Sequence, residues 1–470
     1  MPRRFHPPHL PPVLPPILGE IHALRNEGVF RLVVQAAAVG VGAGTVIACF
    51  RALYDELSVL LPSLVLDWAL PADGATLAWR IALVFGALVV VSLLVTLLAR
   101  WEPLIGGSGI PHVELALAGR LPMPWRRIVP AKFAGTLLSL AGGLSVGREG
   151  PSIQMGAAVG CGVGELLHES SRTMPRCLVG GSVAGLTAAF GAPAAGLFFA
   201  FEEMKVILSV PLLLFTAVAA ASAWLVVDMV FDFGLVFPFA DAAPLVWSNL
   251  WLTLPLGVGT GLLGTLYNRT QIRAALLYDR QRVLPPALRA LPPFLVAGCL
   301  FFVFPRVLNG VGWSMADIAA FADNSGGQWA VLAPLLLLLA VKFAFSVFSF
   351  ASGVPGGLLM PLLGMGGMAG AAAGVAALHF GVVGAEEVAS LLPIGMAGLF
   401  AGAVRAPLTG IALAAEMTGA YTSLPGMILT ALISAATANR LGTPPIYDSL
   451  KRRLRHAAGR RGATSRAAGR

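Results

Sequence analysis

Charge is what this 470-residue sequence has least of. Asp, Glu, Lys and Arg together make up 12% of it, against about 25% in soluble domains. A water-soluble globule of this length needs far more polar surface, so a soluble enzyme, a disordered chain and a nucleic-acid binder are all poor fits. Cysteine is also scarce. Cys49, Cys161, Cys177 and Cys299 lie far apart with no CxxC among them, which reads as small buried hydrophobes rather than disulfides or metal ligands. Enzyme signatures are missing too. His168-Glu169-Ser-Ser-Arg172 fails HExxH at its last position, no GxSxG surrounds Ser108 or Ser182, and no Gly-Lys pair exists for a phosphate loop. Gly259-Thr-Gly261-Leu-Leu-Gly264 matches GxGxxG but sits in an apolar segment without a βαβ context, so helix packing explains it better.

What is present is hydrocarbon. Apolar residues reach 57%, and Leu178–Phe201, Val206–Val227 and Phe343–Ala385 contain no Asp, Glu, Lys or Arg. A membrane span needs about 20 such residues, so the chain is expected to be a multi-pass, all-α integral membrane protein in the lipid bilayer. The expected organisation is a tail over 1–30, membrane repeats over 31–240 and 241–450, and a basic tail over 451–470. At about 25 residues per span and connection, the body has room for roughly 17 helical segments. The last 20 residues carry eight basic groups and no acid, which places both termini in the cytoplasm and the protein in the inner cell membrane. Residues 1–19 hold seven prolines and no compact apolar core, so no cleavable signal peptide is expected. The apolar stretches are broken at GGSGIP, SVGREGP, FGAPAAG, SGVPGG and RAPLTG. Broken helix ends must lie inside the protein or line a watery cavity.

The sequence repeats itself. Slid by 210 residues, Lys132-Phe133-Ala134 falls on Lys342-Phe343-Ala344, and Gly147, Pro151, Met155 and Gly156 fall on Gly357, Pro361, Met365 and Gly366. At an offset of 214, Ala192-Pro193, Gly196 and Glu202 fall on Ala406-Pro407, Gly410 and Glu416. Repeated halves with interrupted helices are the build of many transporters, whose ion sites lie where half-helix ends meet.

Four places can carry chemistry. In Gly107-Ser108-Gly109-Ile110-Pro111 two glycines allow close backbone approach and Ser108 offers a hydroxyl, though a tight turn suits the same residues. In Gly147-Arg148-Glu149-Gly150-Pro151 the proline fits the first turn of a helix, which puts Glu149 where an anion would sit. The alternative is an exposed loop glutamate paired with Arg148. The repeat mate, Gly357-Leu358-Leu359-Met360-Pro361, lacks the acid. Glu202 and Glu203 close a 24-residue uncharged run, and acids at such depth are functional candidates. The alternatives are a structural cap at Glu202 and pairing of Glu203 with Lys205. Tyr447 closes the last span, as an anion donor or as an interfacial anchor.

With these motifs in this order, the chain resembles the CLC family of chloride channels and chloride/proton exchangers, of the bacterial type without CBS domains, over about residues 31–450. The resemblance implies the CLC inverted repeat with many tilted, interrupted helices, assembled as a homodimer with one pathway per subunit. It implies chloride held by Ser108, Tyr447 and the N–H groups of Leu358 and Leu359. It implies Glu149 as the external gate and proton acceptor, and Glu203, with Glu202 beside it, as the internal proton-transfer acid that exchangers have and channels usually lack. The function implied is a chloride/proton antiporter, with chloride and protons as partners and no cofactor, metal, enzyme activity or nucleic acid. The alternatives are a passive voltage-gated chloride channel on the same fold and a membrane enzyme using Glu202 and Glu203 as acid and base. Ser108 favours chloride over nitrate, and GREGP with Ser108 argues against the fluoride-selective branch. Leu359 stands where the family usually has Phe, and His112 where Gln or Glu is more familiar.

Overall fold

The computed structural model describes residues 28–455 except 64–66, 69–73, 172, 208, 238–241, 282 and 304–327. Most of both expected tails therefore lies outside the described residues. The fold is all-helical. The first helices are α1 (Val29–Ser63), α2 (Gly74–Trp101), α3 (Ile110–Leu117), α4 (Trp125–Ala141), α5 (Glu149–Leu166), α6 (Met174–Phe190), α7 (Pro193–Glu202) and α8 (Val210–Phe231). Then come α9 (Thr253–Arg280), α10 (Leu291–Val303), α11 (Gln328–Ala351), α12 (Leu359–His379), α13 (Ala385–Val404), α14 (Pro407–Thr418) and α15 (Leu424–Arg440). A last helix, α16, covers 446–455. Among the described residues, eight helical segments are long and apolar enough to cross a membrane.

The outer surface shows why the molecule needs lipid. Leu83, Val90 and Leu97 are each more than half exposed and recur every seven residues along α2. Leu254, Val258, Leu262 and Leu266 are exposed in turn every four residues along α9. Such stripes are costly against water and at home against hydrocarbon. Of the four cysteines, Cys161 and Cys177 are buried as expected, but Cys49 and Cys299 are exposed. Their positions on the apolar helices α1 and α10 correct the expectation of burial, because a thiol is tolerated against hydrocarbon as readily as inside a core. Gly261 packs on Ser434 and Thr437 of α15, and Gly264 on Gly402 and Ala403 of α13. The GxGxxG match is thus a helix-packing seam.

The helix-breaking turns recur with the same geometry. Gly191 (φ 67°, ψ 27°) and Ala192 (φ −119°, ψ 78°) join α6 to α7. Arg405 (φ 69°, ψ 30°) and Ala406 (φ −121°, ψ 74°) join α13 to α14. Each turn is followed by a proline at the first helical position, where its missing N–H costs nothing. Arg405 takes a left-handed conformation that glycine adopts more easily. Its guanidinium bonds to Asn439 Oδ1 at 2.9 Å and Thr443 O at 3.1 Å, which anchors the turn.

Helices α7 and α14 cap one another. The Glu416 carboxylate at the end of α14 accepts from the N–H groups of Ala194 and Ala195 at the start of α7 (3.0 and 2.8 Å). Glu202 at the end of α7 accepts from Leu408 N (3.1 Å), Thr409 N (2.7 Å) and Thr409 Oγ1 (2.8 Å) at the start of α14. Each acid satisfies donors that the other helix leaves open, at the end where the helix dipole favours negative charge.

Candidate ion-binding site

Two helix-breaking loops meet inside the fold. Gly147 N donates to Gly357 O (2.8 Å), and Gly357 N donates back to Gly147 O (2.7 Å). Gly107 N donates to Val354 O (3.1 Å), and Gly356 N to Gly107 O (3.2 Å). These pairings satisfy backbone groups that broken helices would leave open in a dry interior. They also bring the N-termini of α5 and α12 side by side.

Glu149 lies across both N-termini. It is fully buried. Its Oε1 accepts from Leu359 N at 2.6 Å. The carboxylate therefore occupies the place that two half-helix ends prepare for an anion. Two glycines leave room for the seated carboxylate. A Cβ at Gly357 or at Gly147 would lie 2.2 Å from a Glu149 carboxylate oxygen. The suggested pairing with Arg148 is not seen; that guanidinium pairs with Asp55 at 3.3 Å.

Ser108 approaches the same region from the loop before α3. Gly109 turns the chain there at φ 92°. Gly150 admits the serine, since a Cβ on it would lie 2.4 Å from Ser108 Oγ. Tyr447, fully buried at the start of α16, lies near Ser108 and within electrostatic reach of both Glu149 and Glu203. Among the described residues neither Ser108 Oγ nor Tyr447 Oη makes a hydrogen bond within 3.5 Å, and the two hydroxyls lie near enough to influence one another. A buried polar group left unpaired costs about 1–3 kcal/mol. Two such hydroxyls beside two helix N-termini form a constellation of donors, which suits an anion. Leu359 meets Glu149 through its backbone N–H, and its side chain is fully buried.

In the sequence Lys132 stands out only as part of the repeat. It is fully buried in α4, and its Nζ donates to Ile105 O (2.7 Å) and Gly107 O (2.6 Å). It ties down the loop that carries Ser108. The signal was a lone cation in an apolar run, recurring at Lys342. His112 is nearly buried on α3 with Nδ1 unpartnered, and nothing in the structure explains its choice there.

Glu203, just past α7, is 3% exposed. It faces four charged groups, Glu114, Lys205, Asp448 and Lys451. Lys205 donates to both Asp448 oxygens at 2.9 Å, so it is committed to Asp448 rather than to Glu203. Lys451 bonds to Glu114 and lies 3.3 Å from Asp448. Burial opposes the Asp448 charge, but Lys205 and Lys451 outweigh it and hold the carboxyl below its usual range. Burial opposes the Lys451 charge as well, and the two carboxylates outweigh it and raise the ammonium. The network leaves Glu203 as the buried acid facing paired charges. Asp448 and Lys451 were not foreseen as part of it. Among the described residues, no three His, Cys, Asp or Glu side chains converge on a possible metal position.

Comparison with known proteins identifies the family and the fold. The profile of the voltage gated chloride channel family matches residues 86–439. The H(+)/Cl(-) exchange transporter ClcA of Vibrio cholerae serotype O1 (strain M66-2) is 34% identical over 440 residues, covering 90% of each chain. ClcA of Yersinia pseudotuberculosis serotype IB (strain PB1/+) is 32% identical over 429 residues, covering 89% of this chain and 87% of its own. A slow cyanobacterial Cl-/H+ antiporter superposes with a TM-score of 0.79 at 29% identity, covering 90% of this chain and 98% of that one. A CLC-type fluoride/proton antiporter has the same fold at 21% identity and a TM-score of 0.68, with the same coverage.

Proposed function

This chain belongs to the voltage-gated chloride channel (CLC) family of membrane transporters, and from that premise we propose that it is a chloride/proton antiporter. The observation that carries the proposal is Glu149. Its carboxylate lies on the N–H of Leu359 beside the unpartnered hydroxyls of Ser108 and Tyr447. Chloride binds at Ser108 and Tyr447 and moves onto the N–H groups of Leu358 and Leu359 when Glu149 leaves. Protonation lets Glu149 leave, because a neutral carboxyl loses its hold on two helix dipoles. The anion and the proton thus share one place in turn, and coupling follows from that sharing. Glu203 supplies the proton leg on the other side of Tyr447. Glu202 caps and positions α14.

The proposed assembly is two membrane repeats, 31–240 and 241–450, in a homodimer with both termini cytoplasmic. The relatives named as H(+)/Cl(-) exchangers support chloride and protons as the cargo. Exposed Ile207, Leu213, Leu408 and Leu432, on or beside α7, α8, α14 and α15, offer a second copy an apolar face.

Reconstituted vesicles test the proposal. With a chloride gradient imposed, protons move uphill in the opposite direction. Glu203→Gln abolishes that movement while chloride still flows. Chloride flux from wild-type protein with no proton movement would instead establish a passive channel.

A further inference from the structure

Near the loop that carries Glu149, two arginines are buried without enough acceptors. Arg51 on α1 is 5% exposed and Arg148 is 4% exposed. Their ring-facing surfaces are occupied. Arg51 lies over Phe233, with Cζ 4.3 Å from the ring centre. Arg148 lies by Tyr54 and Phe190, at 5.3 and 5.6 Å. An aromatic face attracts a cation but accepts none of its in-plane hydrogen bonds. The edges are only partly used. Arg51 Nη2 donates to Gly234 O at 3.2 Å, and Arg148 Nη1 to Asp55 Oδ1 at 3.3 Å. Arg51 Nε stands 3.8 Å from Asp55 Oδ2, too far for a hydrogen bond. Among the described residues Arg51 Nε, Arg51 Nη1 and Arg148 Nε have no acceptor.

The charges do not balance either. Two guanidinium groups share one carboxylate, Asp55, whose side chain is 47% exposed and so screened by water. Glu149, one residue from Arg148, bonds Leu359 N through Oε1 and turns no oxygen into hydrogen-bond contact with either guanidinium among the described residues. Buried cations with open donors are costly unless an anion completes them. Arg51 lies 22 residues along α1 from Val29, so at 1.5 Å per residue the pair sits ~33 Å from the helix start, about one hydrocarbon thickness. That places it near the far end of the Val29–Leu57 span, away from the start of α1.

We propose that Arg51 and Arg148 form a second, peripheral binding site for a small monovalent anion at the mouth of the pathway, on the Arg51 side. This rests on the reading that the pathway carries such an anion, and it adds an ion upstream of Glu149. The Arg51 Nε and Nη1 edge and Arg148 Nε hold the ion. Asp55 limits its residence, because it competes for both guanidinium groups. An anion waiting there has its charge next to Arg148, one residue from the carboxylate it replaces.

Two measurements on the full-length protein test the site. In bromide-soaked crystals of the wild type, anomalous density is expected within reach of Arg51 Nη1 and Arg148 Nε. A second peak is expected between Ser108 and Tyr447. In Arg51→Met the peripheral peak vanishes and the central one stays. Wild-type density at the central place alone overturns the proposal and leaves the transport reading intact; density at neither place also overturns it, together with that reading. In oriented vesicles, Arg51→Met raises the half-saturating chloride concentration on the Arg51 side by roughly 10-fold, as loss of a charged hydrogen-bond partner implies. The opposite side is unaffected. Equal half-saturation for wild type and variant on both sides contradicts the proposal. The wild-type map needs no variant and decides the matter even if Arg51→Met does not fold.

Discussion

Replacing Gly357 by alanine moves Glu149 without touching it. Gly357 has no left-handed φ, so its torsions suit alanine, and the nearest backbone atom, Gly150 N at 3.1 Å from the added Cβ, must give by a few tenths of an ångström. The added Cβ would lie 2.2 Å from Glu149 Oε1, where ordinary contact begins at 3.4 Å. The carboxylate must withdraw by about 1.2 Å, which stretches its 2.6 Å bond from Leu359 N beyond the ~3.2 Å limit. Loss of a charged hydrogen bond is worth about 1.5–3 kcal/mol, a roughly 10- to 150-fold shift away from the seated position. Chloride then competes with a weaker rival. Its affinity should rise by up to that factor, and chloride flux should lose most of its dependence on pH. Calorimetric chloride titration gives the first quantity and vesicle efflux from acid to neutral pH gives the second. Thermal unfolding checks that the Gly147–Gly357 pairing survives. A folded Gly357→Ala protein with wild-type affinity and a wild-type pH profile would refute the account of Glu149 as the anion's competitor.

Other perturbations separate the remaining roles. Tyr447→Phe removes one donor and should weaken chloride binding roughly 10- to 150-fold, read by the same titration. Glu202→Gln should lower stability by about 1–2 kcal/mol, since it weakens the cap on α14, and leave the proton-to-chloride ratio unchanged; a changed ratio would move Glu202 into the proton path. Lys451→Met removes the cation that favours the charged forms of Glu114 and Asp448. Both acids then hold protons at higher pH, and proton entry from that face should titrate at higher pH in a pH-jump vesicle assay. An unshifted profile would show that the network does not govern Glu203. The Asp448 carboxyl is depressed in the fold, so its contribution to stability is full above ~3.9 and fades as pH falls through its lowered value.

The parts of the site legible in the sequence are those that break helices. Ser108 and Glu149 stand out because glycine and proline around them interrupt apolar runs, and Leu358 and Leu359 because the repeat aligns them with the acid-bearing loop. What escaped depends on packing across the chain. Arg51 reads as one more charge in α1 until Phe233 and Asp55 are seen beside it. Asp448 and Lys451 lie next to Tyr447 in sequence, yet their partners Lys205 and Glu114 come from elements far away along the chain. The reciprocal caps of Glu202 and Glu416 were only one of two readings, because nothing local tells a capping acid from a proton carrier. The cysteines mislead for a related reason: composition says apolar surroundings but not whether they are protein or lipid.

Linkage between chloride and protons tests the central claim most directly. Chloride affinity of the purified wild-type protein, measured across pH, should rise as pH falls, because protonation removes Glu149 from the N–H of Leu359. Glu149→Gln should bind chloride tightly with no such dependence. Wild-type affinity that is flat with pH and equal to that of Glu149→Gln would contradict the account.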